Sequence, residues 1–384
     1  MIALYQSVGE TLTHHEVDVN AAALVKRNAV SLPADVQYAS PHPSRQYLYV
    51  VSSNGGPGVA GDRHHLSALR IDPATRALQP HGEPQPLSHR PLHVSLDASG
   101  TYAFVAYNAP SAVTVHRIDG GGTVGARVEQ KGPLDVGIFA HQVLAAPGNR
   151  TVVLVTRGNS AAGSKPEDPG ALKLFRFEDG MLSNLASIAP GRGFGFGPRH
   201  IDFHPTQPWV FVSLERQNKL QVFKKRENVL EGGAAFTRDT LADPGNVRPR
   251  QLGGAVHVHP NGRFVYVANR ADHTVEVDGK KVFGGGENSI AVFAIDSRTG
   301  EPTLLEHVDP RGFHVRTFAL DPRGRVLVAA SLKPMAVREG TLITQVSAGL
   351  SVFRVSVDGR LEFARKYDVD TGTKTQFWMG IIGT

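Results

Sequence analysis

The chain has 384 residues, a length that suits one closed all-β domain, and 41% of them are hydrophobic, enough for a sizeable core. It contains no cysteine, which excludes disulfides, thiolate metal sites and a cysteine nucleophile, and no run of about 18 apolar residues predicts a membrane span. The net charge is +6, but the 41 Lys and Arg residues are dispersed, which argues against nucleic-acid binding and is compatible with attraction of small anions.

The N-terminal residues, MIALYQSVGE, lack the basic and apolar regions of a secretory signal peptide. We therefore expect a cytoplasmic protein with no membrane partner. The stretches IALYQ and LTHHEVDV that begin the chain show the apolar character of β-strands.

One unit then recurs six times: an apolar alternating stretch, a turn of the form [His/Asp]-Pro-x-Gly, and a second apolar stretch. Its copies are YASPHPSRQYLYVVSS (38–53), HVSLDASGTYAFVAYN (93–108), QVLAAPGNRTVVLVTR (142–157), HIDFHPTQPWVFVSLE (200–215), AVHVHPNGRFVYVANR (255–270) and TFALDPRGRVLVAASL (317–332). The turn residues Pro43, Ala98, Pro147, Pro205, Pro260 and Pro322 are 49 to 62 residues apart. A third apolar stretch follows most copies, so each unit predicts a four-stranded antiparallel meander, one blade of a β-propeller.

The two ends of the chain predict a seventh blade. TQFWMGII (375–382) has the pattern of a single inner strand, and the N-terminal stretches can complete its sheet. A ring closed in this way has no free sheet edge. We predict an all-β, seven-bladed β-propeller that occupies residues 1–384 as a single domain.

Two positions in each repeat lie near the same open end of the first hairpin. The residues six before the turn are Leu92, His141, Arg199, Gly254 and Arg316. Those ten after it are Ser53, Asn108, Arg157, Glu215, Arg270 and Leu332. Because first strands line the channel of a propeller, we expect both sets to surround one mouth of that channel.

The chemistry of these two sets indicates a functional site. Arginine is a bidentate clamp for carboxylate or phosphate, and Glu and His are common acid–base groups. His93, His200 and His257 are expected just inside the same mouth. Two structural interpretations compete: the Arg and Glu residues form salt bridges between blades, and His200 and His257 are core histidines.

The other polar motifs predict structure rather than chemistry. His42, His204 and His259 belong to the turn at the opposite end of the hairpin, so a structural role is predicted for them. No cluster of carboxylates and histidines has the spacing of a metal site, and we predict neither a metal nor another cofactor.

The stretches GPRHIDFHP (197–205), VSLERQNKLQVF (212–223) and HPNGRFVYVANR (259–270) resemble the seven-bladed lactonase family. That family includes bacterial 6-phosphogluconolactonases and fungal carboxymuconate-lactonising enzymes. The resemblance implies lactone chemistry in the channel mouth, with His141, Arg199, Glu215 and Arg270 at the catalytic positions. The segment TRGNSAAGSKPEDPG (156–170) departs from many relatives as a longer polar insertion, predicted to be mobile and to overhang the mouth, which bears on substrate identity.

The favoured function is hydrolysis of a sugar-acid lactone resembling 6-phosphogluconolactone. Water is the nucleophile, since the chain lacks a Gly-x-Ser-x-Gly elbow. Glu215 or His141 serves as the base, and His141 is the better candidate because arginine charges depress the pKa of Glu215 whereas histidine titrates nearer neutrality. The predicted substrate-binding residues are Asn108, Arg157, His93, His200, His257 and Arg316.

Two other functions remain open from the sequence. One is a cycloisomerase that acts on a muconate-like dicarboxylate, and the other is a non-catalytic propeller that binds a partner, because propellers host many functions. The expected partner is a small anionic sugar lactone, with no nucleic acid, and the chain is expected to be a monomer or a weak homo-oligomer.

Overall fold

The computed structural model describes residues 2–383, which form 34 β-strands and one short 3-10 turn, Pro190–Gly193. The chain starts with three strands whose sheet is completed only by the last strand: β1 (Ala3–Val8), β2 (Thr11–Asp18) and β3 (Ala23–Ser31). Six antiparallel sheets follow, which we number blades 1 to 6 in chain order.

Blades 2 and 3 are simple four-stranded meanders, and blade 1 is a meander with one further short strand. Blade 1 contains β4 (Val36–Pro41), β5 (Tyr47–Ser53), β6 (His64–Ile71) and β7 (Leu78–Pro80), with β8 (Gln85–Pro86) also paired to β6. Blade 2 contains β9 (Pro91–Leu96), β10 (Tyr102–Asn108), β11 (Ser111–Ile118) and β12 (Val124–Arg127). Blade 3 contains β13 (Ala140–Ala145), β14 (Thr151–Thr156), β15 (Ala171–Glu178) and β16 (Met181–Ile188).

The next three blades carry additional strands. Blade 4 contains β17 (Pro198–Phe203), β18 (Trp209–Leu214), β19 (Lys219–Arg226) and β20 (Val229–Leu230), with β21 (Phe236–Asp239) also paired to β19. Blade 5 contains β22 (Gln251–Val258) and β23 (Phe264–Ala271), then an inserted hairpin, β24 (Thr274–Val277) and β25 (Lys280–Phe283), then β26 (Ser289–Ile295) and β27 (Pro302–Val308). Blade 6 contains β28 (Val315–Leu320) and β29 (Val326–Ser331), a second inserted hairpin, β30 (Met335–Glu339) and β31 (Leu342–Val346), then β32 (Gly349–Val355) and β33 (Leu361–Asp368).

The last strand, β34 (Met379–Ile382), pairs with β1 and is the innermost strand of blade 7. The predicted seven-bladed propeller, closed by the two ends of the chain, is therefore confirmed. The two inserted hairpins were not predicted. Of residues 2–383, none belongs to a helix long and apolar enough to cross a membrane.

The hydrophobic core lies between neighbouring blades. Along β10, Phe104 and Ala106 point towards blade 3, whereas Val105 and Tyr107 point towards blade 1. Because side chains alternate along a strand and both faces of a blade are covered, the middle strands are apolar at successive positions rather than at every second one. This pattern explains why stretches such as YAFVAY read as continuous apolar runs.

The histidines of the turns connect neighbouring blades. A ring nitrogen of each lies within hydrogen-bond distance of a glycine carbonyl oxygen in the next turn: His42 to Gly100 at 3.2 Å, His204 to Gly262 at 2.8 Å and His259 to Gly324 at 2.9 Å. Gly262 has φ +72°, and a Cβ there would lie 2.5 Å from the His204 ring. The turn therefore requires glycine both for its backbone conformation and for this close approach.

Candidate active site

Several of the predicted site residues lie at β-bulges, where one strand of a pair has an extra residue. In blade 3, Ala140 faces Thr156 and Gln142 faces Val155, so His141 is an extra residue in the ladder. The same irregularity occurs at Gln37, Leu92, Arg199 and Arg316 in other inner strands. A bulge changes the direction of a side chain at the rim of a sheet. The fold thus places an out-of-register side chain of each of these blades near the same end of the channel.

The ends of the second strands supply the other side chains. Asn108 is the last residue of β10, Arg157 follows β14, Glu215 follows β18, and Arg270 is the penultimate residue of β23. Because the two strands of each hairpin are antiparallel, these positions lie at the same end of the hairpin as the bulge residues, and Glu215 contacts Arg199 directly.

Together these residues enclose a cavity of about 500 Å³, the mouth cavity. It is lined by Pro57, Gly58, Arg90, Leu92, Asn108, Phe139, His141, Arg157, Glu215, Arg250, Leu252, Arg270, Asp272, His314, Arg316, Leu332, Lys333, Thr375 and Phe377. Six of these side chains are basic and two are carboxylates. The surplus of positive charge suits an anionic ligand.

Glu215 is the centre of the cluster. Its Oε1 accepts hydrogen bonds from Nε of Arg199, at 3.1 Å, and from Nη2 of Arg270, and its Oε2 accepts one from Nη1 of Arg157. Burial raises the pKa of this carboxyl, but the charges of Arg270, Arg157 and Arg199 outweigh that effect and bring the pKa to about 2. Glu215 is therefore a permanent anion with both oxygens engaged. Arg199 lies just behind the cavity wall and is only 1% exposed.

Arg316 is arranged differently. Its guanidinium carbon lies 3.6 Å from the centre of the Phe377 ring, and it forms no salt bridge to any of residues 2–383. Burial lowers the pKa of Arg316 well below its ordinary value, and Arg199 and Arg270 lower it further. An unpaired guanidinium that faces a cavity and is held flat by an aromatic ring can bind an anion through two parallel hydrogen bonds.

His141 lies in the wall of the mouth cavity and is 8% exposed, and its Nδ1 is buried without a hydrogen-bond partner among residues 2–383. Burial lowers its pKa well below 6.5, and Arg199, Arg157, Arg316 and Arg270 lower it further. The imidazole of His141 is therefore neutral at pH 7 in the unliganded protein, and its role as the base stays a prediction. As a neutral imidazole it can accept a proton.

The sequence prediction missed several residues of the cavity. Arg90, Phe139, Leu252 and His314 each lie eight residues before the turn, two before the bulge position, and all four line the cavity. The same repeat alignment, extended by two residues, contains this signal. Asp272 was also missed: it accepts a bidentate pair of hydrogen bonds from Arg250, at 2.6 and 2.9 Å.

His314 helps to fix Arg270. Its Nε2 is 3.0 Å from Nη1 of Arg270, and Nε of the same arginine donates to the carbonyl oxygen of Gly253 at 3.2 Å. Glu215 is the third partner of the Arg270 guanidinium, which is therefore fixed at Nε and at both terminal nitrogens. Arg270 is thus rigid and positioned rather than free to move with a ligand.

His93, His200 and His257 do not lie in the mouth cavity. They line a second space farther along the channel, towards the turns, which we call the channel cavity. The expectation that these histidines lie just inside the mouth is therefore corrected: they line the next cavity along the channel. His93 and His200 directly follow the bulge residues Leu92 and Arg199, so they also point towards the channel axis rather than back into a blade, whereas His257 lies in the regular part of β22 after its bulge. Whether these histidines bind substrate stays a prediction.

The polar insertion 156–170 is held by several contacts. Glu167 accepts a hydrogen bond from Nη2 of Arg216 at 2.7 Å and one from the backbone N–H of Gly195 at 3.1 Å, and Asn159 donates to Asp168 at 2.7 Å. Within the segment only Arg157 lines the mouth cavity. Contacts to Arg216 and to the 193–197 loop thus fix the distal part of the insertion, and the prediction that it overhangs the mouth stays a prediction.

No group of three or more His, Asp or Glu side chains among residues 2–383 is arranged to hold a metal ion. The cavity's donors are mostly guanidinium groups, which repel cations and attract anions. The chemistry available to the described residues is therefore anion binding, stabilisation of developing negative charge and proton transfer.

Comparison with known proteins agrees with this architecture. The chain is 28% identical over 337 residues to the 6-phosphogluconolactonase of Bacillus subtilis (strain 168), which covers 84% of each chain. It is 25% identical over 370 residues to the 6-phosphogluconolactonase of Serratia proteamaculans (strain 568), covering 94% of this chain and 93% of the relative. The structure of PpgL, a periplasmic gluconolactonase of Pseudomonas aeruginosa, matches with a TM-score of 0.73 at 20% identity and covers 100% of this chain and 99% of PpgL. The family description "Lactonase, 7-bladed beta-propeller" matches residues 1–338. The chain therefore belongs to the seven-bladed β-propeller lactonase family.

Proposed function

We propose that this protein hydrolyses an anionic sugar-acid lactone in the mouth cavity. The observation that carries the proposal is the unpaired Arg316 guanidinium in the same cavity as the neutral His141 and the Glu215 cluster. Two relatives that match most of the chain are named 6-phosphogluconolactonase, which supports a lactone that carries a phosphate group.

Arg316 binds the anionic group of the substrate in this proposal. A phosphate or carboxylate that pairs with Arg316 adds the negative charge that the basic cavity lacks. Arg157 is 22% exposed at its side chain and stacks 3.9 Å from the centre of the Phe139 ring, so it is also accessible to a ligand. These two stacked arginines lie on different blades and fix two points of the substrate.

Water is the nucleophile, and His141 accepts its proton. Binding of an anion beside Arg316 and Arg157 offsets the charges that depress the pKa of His141. The imidazole therefore becomes a stronger base when the substrate is bound. The expected contribution of such a positioned base is about 10²- to 10⁴-fold in rate.

Glu215 positions the arginines instead of acting as the base. Both of its oxygens accept hydrogen bonds from guanidiniums, and its pKa of about 2 makes it a poor proton acceptor at pH 7. Arg157 and Arg270, oriented by Glu215, direct positive charge towards the lactone carbonyl oxygen as it becomes an oxyanion. Charge that is arranged before the reaction stabilises the transition state without reorganisation.

The test is steady-state hydrolysis of paired aldonolactones, with and without a phosphate group, measured by acid release above the spontaneous rate. We expect the wild-type protein to accelerate hydrolysis of the phosphorylated member and His141→Gln to lose most of that acceleration. His42→Gln, which changes a turn histidine remote from the cavity, is the matched control, with folding checked by circular dichroism. No acceleration by the wild type with any lactone refutes the proposal.

The sequence predictions of a cytoplasmic location and of a monomer or weak homo-oligomer are part of the same proposal. Cell fractionation with an antibody tests the first, and light scattering of the purified protein tests the second.

A further inference from the structure

The channel cavity has a different chemical character from the mouth cavity. Its volume is about 260 Å³, and its lining includes three imidazoles, one carboxylate and no lysine or arginine. The carboxylate, Asp202, lies 3.7 Å from Nδ1 of His257, and the two side chains are 31% and 37% exposed. Because Asp202 precedes the turn by three residues, this end of the cavity lies towards the turn face of the ring.

One pair of neighbouring imidazoles connects the two cavities. His141 lines the mouth cavity, His200 lines the channel cavity, and their ring centres are 5.1 Å apart. The His93 ring lies 6.4 Å beyond His200. Nδ1 of His141 and Nδ1 of His93 are both buried without a hydrogen-bond partner among the described residues. Since buried polar atoms are normally hydrogen-bonded, these nitrogens are suited to water in the adjoining cavities.

The proposed reaction releases one proton for each lactone opened. The water oxygen forms a bond to the carbonyl carbon, the bond from that carbon to the ring oxygen breaks, and the ring oxygen leaves as a hydroxyl with one proton. The new carboxylic acid ionises at neutral pH and releases the second proton of the water. That proton has two routes, through the mouth with its six basic side chains, or through the channel cavity towards Asp202. Beyond His200 the second route is lined by one carboxylate and by no lysine or arginine, so that part of it favours a proton more than the mouth does.

We propose that His200 passes this proton from His141 into the channel cavity, from which it leaves past His257 and Asp202 at the turn face. This inference rests on the proposed lactonase function and adds a role for the side of the ring opposite the substrate. The groups that face His200 are Arg199, whose Nη1 lies 3.4 Å from Nδ1 and 3.5 Å from Nε2 of the ring, and the imidazoles of His141, His93 and His257. Burial and then Arg199 lower the pKa of His200, so the ring is neutral at rest and releases an acquired proton quickly.

The experiment compares wild type, His200→Ala, His200→Gln and Thr317→Val in lactone hydrolysis. Thr317 lines the same cavity and its hydroxyl has no partner among residues 2–383, but it carries no titratable proton, so Thr317→Val is the matched control. We expect both His200 variants to lower kcat at least 10-fold with little change in KM, and Thr317→Val to keep the wild-type rate. Thermal unfolding checks that each variant is folded.

Chemical rescue separates proton transfer from packing. Added imidazole should restore much of the activity of His200→Ala, and a series of azoles of similar size should restore it in order of their basicity. Equal rescue by all azoles, or no rescue, overturns the relay, as does a kcat within twofold of wild type in both His200 variants. If His200→Ala does not fold, the solvent deuterium isotope effect on kcat of His200→Gln decides: an unchanged effect overturns the relay. A wild-type protein without lactonase activity overturns both the proposed function and the relay. An active wild type with His200 variants of nearly equal kcat overturns the relay alone.

Discussion

Substitution of Glu215 by glutamine should destabilise the fold by an amount that the structure allows to be worked out. The change keeps the size of the side chain but removes the negative charge that Arg157, Arg199 and Arg270 share. The pKa of Glu215 falls from 4.5 to about 2 on folding, which corresponds to about 3 kcal/mol in the free energy of unfolding. Removal of one partner from a buried ion pair typically costs about 3–5 kcal/mol, which is consistent with this value.

The pH dependence of this loss has a definite sign. Because the folded-state pKa of Glu215 is depressed, its stabilisation is fully present above the unfolded pKa of 4.5 and is lost as the pH falls towards 2. The difference between wild type and Glu215→Gln should therefore be constant from pH 7 to about pH 5 and shrink by more than half at about pH 3.

The assay is urea unfolding followed by the fluorescence of the buried Trp209 and Trp378. Glu16→Gln is the matched control, because Glu16 pairs with Arg27 at the surface, where both side chains are at least 34% exposed. An exposed pair of this kind contributes about 0–1 kcal/mol. Two results refute the claim that the ionised Glu215 stabilises the fold through its three arginines. One is an equal decrease in the free energy of unfolding for the two variants, and the other is a decrease for Glu215→Gln that does not become smaller in acid.

Four further results are expected. His141→Ala should lower kcat/KM for a lactone by about 10²- to 10⁴-fold, measured by acid release, and a rate near that of wild type contradicts its role. The kcat/KM of the wild type should be flat from pH 6 to 8 and fall only at lower pH, because the pKa of free His141 lies well below 6.5 and its base form is complete at neutrality; an inflection near 6.5 is the opposing result. Arg316→Leu should raise KM about 10- to 150-fold for an anionic lactone and hardly at all for an uncharged one, and equal effects on both exclude Arg316 as the anion-binding group. Gly262→Ala should lower the free energy of unfolding by about 1–3 kcal/mol more than Gly279→Ala, since both glycines have φ +72° but only the first meets a neighbouring ring, and equal losses argue against the His204 contact.

The number of blades could be predicted because the repeat is carried by features with a local cause. Two of the turns, 259–262 and 321–324, match [His/Asp]-Pro-x-Gly in full and contain a glycine with positive φ, and the other four keep part of the motif. His204 and His259 of these turns contact the turn of the next blade, so the related turns mark the inner hairpins. The closing sheet was predictable because TQFWMGII had no partner within its own repeat. The hairpins β24–β25 and β30–β31 were missed because they lie outside the repeating unit.

The site was predictable in position but not in detail. Alignment on the turn brought His141, Arg157, Glu215, Arg270 and Arg316 to one cavity, as the structure places them. A β-bulge leaves no mark in the alternation of a single sequence, so the sequence could not show that the bulge separates the mouth side chains from those of the channel. The protonation of a buried histidine depends on charges from several blades and was likewise not accessible from spacing.

The hydrogen-bond partners of the remaining cavity residues required the fold, although the extended repeat alignment locates Arg90 and His314 themselves. Asp272 and His314 come from different blades, yet Nδ1 of His314 lies 3.5 Å from Oδ2 of Asp272, and each side chain also contacts an arginine, Arg250 or Arg270. Nothing in their local sequence indicates this network. Arg90 is similar, because its Nε and Nη2 donate to Oε1 of Gln37 in the preceding blade, at 3.0 and 2.7 Å. Long-range hydrogen bonds of this kind depend on blade order and bulge position together.

The most direct test of the central claim, that lactone chemistry takes place in the mouth cavity, is a crystal structure of the protein with the sugar-acid product of an active lactone. The account predicts the product in the mouth cavity, with one anionic group paired to Arg316 and the carboxylate carbon beside His141 and Arg157. A product bound in the channel cavity or on the outer surface, with the mouth cavity free of it, contradicts the account.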